Sequence, residues 1–137
     1  MLVNNLALAP LDPPVVIDAA YYARLEGLAM GAMQRAPELA TRLLDEIERA
    51  EILPSRAVPE TIVNIGSEVT FRDDAAGCVQ TVKLVLPGDA DISRHQISVL
   101  TPVGVALIGL SEGASIWWVT PDNEVRELTV QKVRNHS

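Results

Sequence analysis

The chain has one cysteine, Cys78, among 137 residues, which excludes an intrachain disulfide and suits a reducing compartment. At the start of a strand pattern this thiol reads as a small packed hydrophobe rather than a reactive group. Histidine is nearly as scarce: His95 sits beside Arg94 in a polar loop, and His136 is next to last. No His/Cys/Asp/Glu grouping has zinc-ligand spacing, and Asp89-Ala90-Asp91 lacks the rest of a calcium loop. A glycine-rich phosphate loop and a G-x-S-x-G elbow are also missing. These gaps argue against an enzyme and leave no candidate catalytic, metal or cofactor residue and no small-molecule substrate.

Aromatic residues number five (Tyr21, Tyr22, Phe71, Trp117 and Trp118), too few and too dispersed for an aromatic-lined pocket. Adjacent strand residues face opposite ways, so Trp117 and Trp118 diverge, with Trp118 in the apolar register and Trp117 outside. Basic residues are few and scattered, eleven against eighteen acids, for a net charge of −7. Such a chain neutralises phosphates poorly, which argues against direct nucleic-acid binding. No apolar run approaches the roughly 20 residues of a membrane span. Residues 6–10 form a short apolar patch, but no basic residue precedes Arg24, so no export signal is expected. The expectation is a soluble, cytoplasmic protein.

What is present is a folded composition, 48% hydrophobic with 21% charged. The segment Pro54-Ser55-Arg56-Ala57-Val58-Pro59 divides it, with Ala, Leu, Glu and Arg before and β-branched residues after. Two prolines there exclude a continuous helix. The division is a helical hairpin with an irregular N-terminus over residues 1–53, a linker over 54–60 and a β-rich domain over 61–137.

In the first part, Asp18 can cap a helix from Ala19 carrying Tyr21, Leu25 and Leu28, weakened by Gly27 and Gly31. Pro37 starts a second helix with Leu39, Leu43, Ile47 and Ala50 on one stripe. After the linker, Glu68-Val69-Thr70-Phe71-Arg72 alternates, and Asp73-Asp74-Ala75-Ala76-Gly77 has turn chemistry. Gln80, Val82, Leu84 and Leu86 share a strand face, and residues 115–120 and 125–133 form a last hairpin. The class is α+β: a short antiparallel helical hairpin, then an antiparallel sheet carrying one short helix. Leu25, Leu43, Ile47, Val82, Leu84, Leu107 and Trp118 are the expected core.

The densest signal is Ile97-Ser98-Val99-Leu100-Thr101-Pro102-Val103-Gly104-Val105-Ala106-Leu107-Ile108-Gly109-Leu110, followed by Glu112-Gly113 and Ile116-Trp117-Trp118-Val119-Thr120-Pro121. It reads as strand, capped helix, glycine turn, strand. Thr101 can cap a helix whose first residue, Pro102, needs no N–H. Val103, Ala106, Leu107 and Leu110 then form one stripe.

This unit resembles the FKBP-like C-terminal domain of the bacterial Gre factors (GreA/GreB) and their short relative Rnk, whose name is that of a nucleoside diphosphate kinase regulator. The resemblance runs from about Val15 to the C-terminus. It implies a non-catalytic transcription regulator that binds RNA polymerase at the β′ rim of the secondary channel and competes with other channel factors. The docking residues it carries over are Leu100, Thr101, Pro102, Val103 and Gly104. Leu100 replaces a polar residue and Thr101 a serine of the Gre pattern, Gly113-Ala114 replaces Gly-Asp, and Pro121-Asp122-Asn123 replaces Pro-Gly-Gly.

Gre factors resemble one another in a long coiled-coil arm with two acids at its tip that help hold a catalytic magnesium. Here the second helix spans only about 22 Å, and Leu28-Ala29-Met30-Gly31-Ala32-Met33-Gln34-Arg35-Ala36 contains no acid. Transcript cleavage is therefore not expected. A Gre-type cleavage factor and a structural dimerisation module are the alternatives; a peptidyl-prolyl isomerase, which shares the fold, would need an aromatic-lined proline pocket.

Overall fold

Asp18 ends the first strand, β1 (Val16–Asp18), and caps the first helix, α1 (Ala19–Gly31), accepting the Ala20 N–H at 2.9 Å. The structure, a computed structural model, describes residues 13–120 and 122–135. The apolar patch at 6–10, Pro121 and His136 lie outside them. Helix α1 runs through Gly27, and a short turn leads to α2 (Pro37–Arg49), started by Pro37 as the sequence predicts. Leu25 on α1 and Leu43 and Ile47 on α2 are buried, while the charged face of α2 is largely exposed. The two helices form the expected hairpin.

The hairpin is closed by a pairing that hydrophobic periodicity did not show. Strand β2 (Glu51–Leu53) lies parallel to β1, with Val16 opposite Glu51 and Asp18 opposite Leu53. Three residues are too few to display a period of two. Residues 54–60 contain a single 3₁₀ turn, Ser55–Ala57. Asp18 binds across this segment: it accepts Ser55 Oγ at 2.6 Å and Asn64 Nδ2 at 2.9 Å. Burial pushes its carboxyl upward, but these hydrogen bonds and the Ala20 N–H outweigh burial and hold it below the usual range.

The remaining strands are β3 (Glu68–Asp73), β4 (Cys78–Val85), β5 (Gln96–Ser98), β6 (Ser115–Val119) and β7 (Val125–Arg134), ordered β5-β4-β3-β7-β6. The fold is α+β as expected, but the sheet is mixed because β5 runs parallel to β4. Two 3₁₀ turns, Pro87–Asp89 and Ile92–Arg94, return the chain to the same end of β4. Between β3 and β7 the register shifts at Thr70/Phe71, bending the sheet.

The short helix α3 (Pro102–Leu107) packs on this sheet. Thr101 Oγ1 accepts the Gly104 N–H at 3.0 Å and donates to the Ser98 carbonyl at 2.7 Å. Gly104, Val105, Ala106 and Leu107 are all buried, so α3 is enclosed on more than the predicted stripe, and Val103 is half-exposed. One core joins Leu25, Leu43 and Ile47 to Val82, Leu84, Leu107 and Trp118. At Gly109, φ is +81° and an added Cβ would lie 2.3 Å from Val15 Cγ1, so only glycine lets the chain pass there.

Candidate functional site

Of the five carried-over residues, Leu100, Thr101, Pro102 and Val103 are half-buried, and Gly104 is buried. An added Cβ on Gly104 would meet the Ser98 carbonyl oxygen at 2.3 Å and Val99 Cα at 2.7 Å. Gly104 therefore allows α3 to rest on the end of β5, and presents no surface of its own. The four neighbours it positions form a lip. Leu100 packs partly against the core.

Behind this lip the sheet opens into a cleft of about 510 Å³. Phe71 and Val82 line it together with Ile97, Pro102, Val103 and Trp118. Asp73 and Arg126 supply charge. The five aromatics, too dispersed in sequence to suggest an aromatic-lined pocket, place two of their number on this cleft. Trp117 and Trp118 do diverge, at 42% and 8% exposure, but the sheet brings Trp118 and Phe71 to one cleft. Trp118 is the cross-strand partner of Arg126, and Phe71 and Asp73 lie two residues apart on β3.

Asp73 has two roles. Its Oδ1 accepts the Ala75 and Ala76 N–H groups at 3.1 and 3.3 Å, shaping the predicted turn. Its Oδ2 accepts Arg126 Nη1 at 2.7 Å. The Arg126 hydrogen bond holds the Asp73 carboxyl below the usual range, against the opposing push of burial, and the backbone N–H groups add to it. Arg126 also reaches Glu124 Oε1 at 3.1 Å, and its guanidinium is held even more firmly protonated, chiefly by Asp73. Trp118 Nε1 is buried without a hydrogen-bond partner among the described residues. An orphaned buried donor of this kind typically costs about 1–3 kcal/mol.

On the other side of Pro102, a second groove of about 440 Å³ separates α2 from the sheet edge, between Leu39 and Arg42 on one wall and Val119 and Asn123 on the other. Arg42 Nη2 donates to the Trp117 carbonyl at 2.7 Å, so the helical hairpin holds the edge strand while the Trp117 ring stays partly exposed. Asn123 takes φ +65°, the left-handed conformation expected of the residue that replaces glycine in this turn. Cys78 begins β4 as expected, but it is exposed rather than packed. His95 is an exposed loop residue.

Residues 58–135 match the family model described as transcription elongation factor, GreA/GreB, C-term, which is more than half of the chain. The chain belongs to the GreA/GreB family. Within it the arm is of Rnk type, since residues 13–53 match the Rnk N-terminus. The regulator of nucleoside diphosphate kinase of Escherichia coli strain K12 is 32% identical over 118 residues, covering 86% of this chain and 87% of that protein. The transcription elongation factor GreA of Syntrophobacter fumaroxidans is 43% identical over 70 residues, covering 51% of this chain and 44% of its own length. Among solved structures, a prokaryotic transcription elongation factor GreA/GreB from Nitrosomonas europaea is 32% identical with a TM-score of 0.70, covering 90% of this chain and 99% of that one.

The two helices make a short arm, and the segment that joins them is without acids. Helix α2 has 13 residues, about 20 Å at 1.5 Å each. Residues 28–36 contain no Asp or Glu, and Glu38 follows in the first turn of α2. Among the described residues no group of three or more His, Cys, Asp or Glu is placed to hold a metal ion. No helix of the described residues is long and apolar enough to cross a membrane.

Proposed function

We propose that this protein is a cytoplasmic transcription regulator that docks on RNA polymerase at the β′ rim of the secondary channel and competes there with other channel factors. The observation that carries this is the lip formed by Leu100, Thr101, Pro102 and Val103, held by a capped helix in a GreA/GreB domain. Recognition is commonly carried by cap and loop residues on a rigid scaffold, and Gly104 with Thr101 makes this one rigid. Docking is non-catalytic and needs no metal or cofactor. Net charge and scattered basic residues disfavour direct nucleic-acid binding.

The arm in this reading occupies the channel without doing chemistry. Magnesium-assisted phosphodiester hydrolysis needs added carboxylates to hold the metal and orient its water. Residues 28–36 offer Met30, Met33, Gln34 and Arg35 instead, and the Arg35 cation repels a metal. Glu38, in the first turn of α2, supplies a single carboxylate where two are needed. A change in nucleoside diphosphate kinase, as in the name of the Escherichia coli relative, would follow as a consequence of altered transcription.

The test uses backtracked elongation complexes. The protein alone should release no cleavage product, and in excess it should suppress cleavage driven by a Gre factor. Robust magnesium-dependent cleavage by the purified protein, abolished by Glu38→Gln, would make it a cleavage factor instead. A pull-down that recovers only the protein itself would favour a dimerisation module.

A further inference from the structure

The sheet has an outer face, turned away from the core, the cleft and the lip. Its charges sort by end. Arg72 is matched by Asp74 at 3.1 Å, and Arg134 faces Glu68 at 3.7 Å. That leaves Lys83 and Lys132 toward one end and Glu127 toward the other, with no ion pair among the described residues. Lys132 and Glu127 both lie on β7, about 15 Å apart at the usual strand rise. Exposed apolar groups accompany them. Trp117 is the cross-strand partner of Glu127, and Val119 that of Val125, which is 66% exposed. Midway along the face stands Val79, 53% exposed, in the row of Arg72 and Thr129.

We infer that this outer face binds a second copy of the chain, turned end for end about a two-fold axis that crosses the strands near Thr129. A face whose unmatched charges have opposite signs at opposite ends complements itself in that orientation, and a two-fold makes every contact twice. Lys132 of each copy lies over Glu127 of the other. Its ammonium and aliphatic stem cover the exposed Trp117 ring beside that Glu127. The two Val79 side chains meet on the axis, where apolar burial adds to the attraction. A partner of one sign fits less well, since a polyanion meets Glu127 and a basic surface meets Lys83 and Lys132. Strands β4, β3, β7 and β6 make a face about 19 Å wide and 25 Å long at ordinary spacing and rise. About 1,000 Å² is then buried in all, the lower limit for a specific interface, so the dimer is weak and reversible. The net charge of −7 repels two copies at a distance, but at about 0.15 M salt that repulsion is screened beyond about 8 Å. The lip and the cleft stay open in the dimer.

The test is sedimentation equilibrium of the full chain in physiological salt, from about 10 μM to about 1 mM, the range of weak affinities. The fitted mass should rise with concentration from one chain toward two. Lys132→Glu and Glu127→Lys, neither at a buried position, should each weaken association at least about tenfold with an unchanged melting temperature, because each sets like charges together twice. The double variant Lys132→Glu/Glu127→Lys should restore association, since opposite charges face each other again. That rescue separates a contact between copies from a general effect of surface charge. A chain that stays single to the top of the range would overturn the inference, as would association that neither substitution weakens or that the double variant fails to restore. A single chain that binds polyuridylic acid, and loses it in Lys132→Glu, would assign the face to a polyanion instead. None of these readouts involves polymerase, so failure here leaves the docking proposal standing.

Discussion

Gly104→Ala is a sharp perturbation because it adds one carbon at a point where two backbones touch. That carbon would lie 2.3 Å from the Ser98 oxygen, 2.7 Å from Val99 Cα and 2.8 Å from Val99 C. All three are main-chain atoms, so no side chain can swing away. Ordinary carbon contacts begin near 3.5 Å, so α3 must retreat from β5 by about 1 Å. The Thr101 cap spans the same junction, accepting the Gly104 N–H and donating to Ser98, and would be strained with it. Overpacking usually costs about 1–3 kcal/mol, and a backbone clash belongs near the top of that range. At roughly 2.1 cal/mol/K per residue, the unfolding entropy of this chain is about 0.3 kcal/mol/K, so a loss of about 3 kcal/mol lowers Tm by about 10 °C. Thermal melting followed by far-UV circular dichroism measures it. A Tm within about 2 °C of the parent would show that α3 does not rest on β5 as described, and the rigid lip would lose its basis.

The opposite result is expected at Gly27, inside α1 with nothing within 4 Å of an added Cβ: Gly27→Ala should raise stability by about 0.5–1 kcal/mol in chemical denaturation. Leu107→Ala, at a position with no exposure, should lose about 2–5 kcal/mol, and a loss under about 1 kcal/mol would contradict the enclosed helix. Asp73 is held below its usual range in the folded state, so its stabilisation is full above about pH 4, the unfolded value. It then declines as pH falls toward the lower folded value, and Asp73→Asn should flatten that acid limb of a stability–pH curve. Val103→Asp, on the lip, should weaken polymerase binding by tenfold or more, on the order of 1.4 kcal/mol, with Tm nearly unchanged; joint loss of folding would make Val103 structural.

The elements that periodicity and capping describe were legible in advance. Asp18 and Thr101 cap as expected, Pro37 and Pro102 open their helices, and Asn123 takes the left-handed turn. The seven expected core residues are all buried. The parallel pair β1–β2 was not legible, because three-residue strands are set by tertiary contact rather than by pattern. The direction of β5 depended on two 3₁₀ turns in residues 87–94, which composition marks only as loop.

The cleft was hidden for a different reason. Its residues are far apart in sequence, and a one-residue change in hairpin register would move Arg126 to the other face. The last hairpin closes with Val119 opposite Val125, which sets Trp118 beside Arg126. That register rests on Thr120 N–H donating to Glu124 and Asn123 N–H to Thr120, both at 2.9 Å, a loop geometry the sequence does not specify. Asp73 was recognised as a turn former, and its second oxygen carried the pairing that turn chemistry leaves unstated.

The most direct measurement of the central claim is binding to purified core RNA polymerase. Cys78, the single cysteine, is exposed and takes a fluorescent maleimide at one defined position, so anisotropy reports binding of the whole chain. Saturable binding is expected, reversed by an excess of a Gre factor and lost in Val103→Asp at unchanged Tm. Absence of binding at micromolar polymerase, or binding that a Gre factor does not displace, would contradict the account.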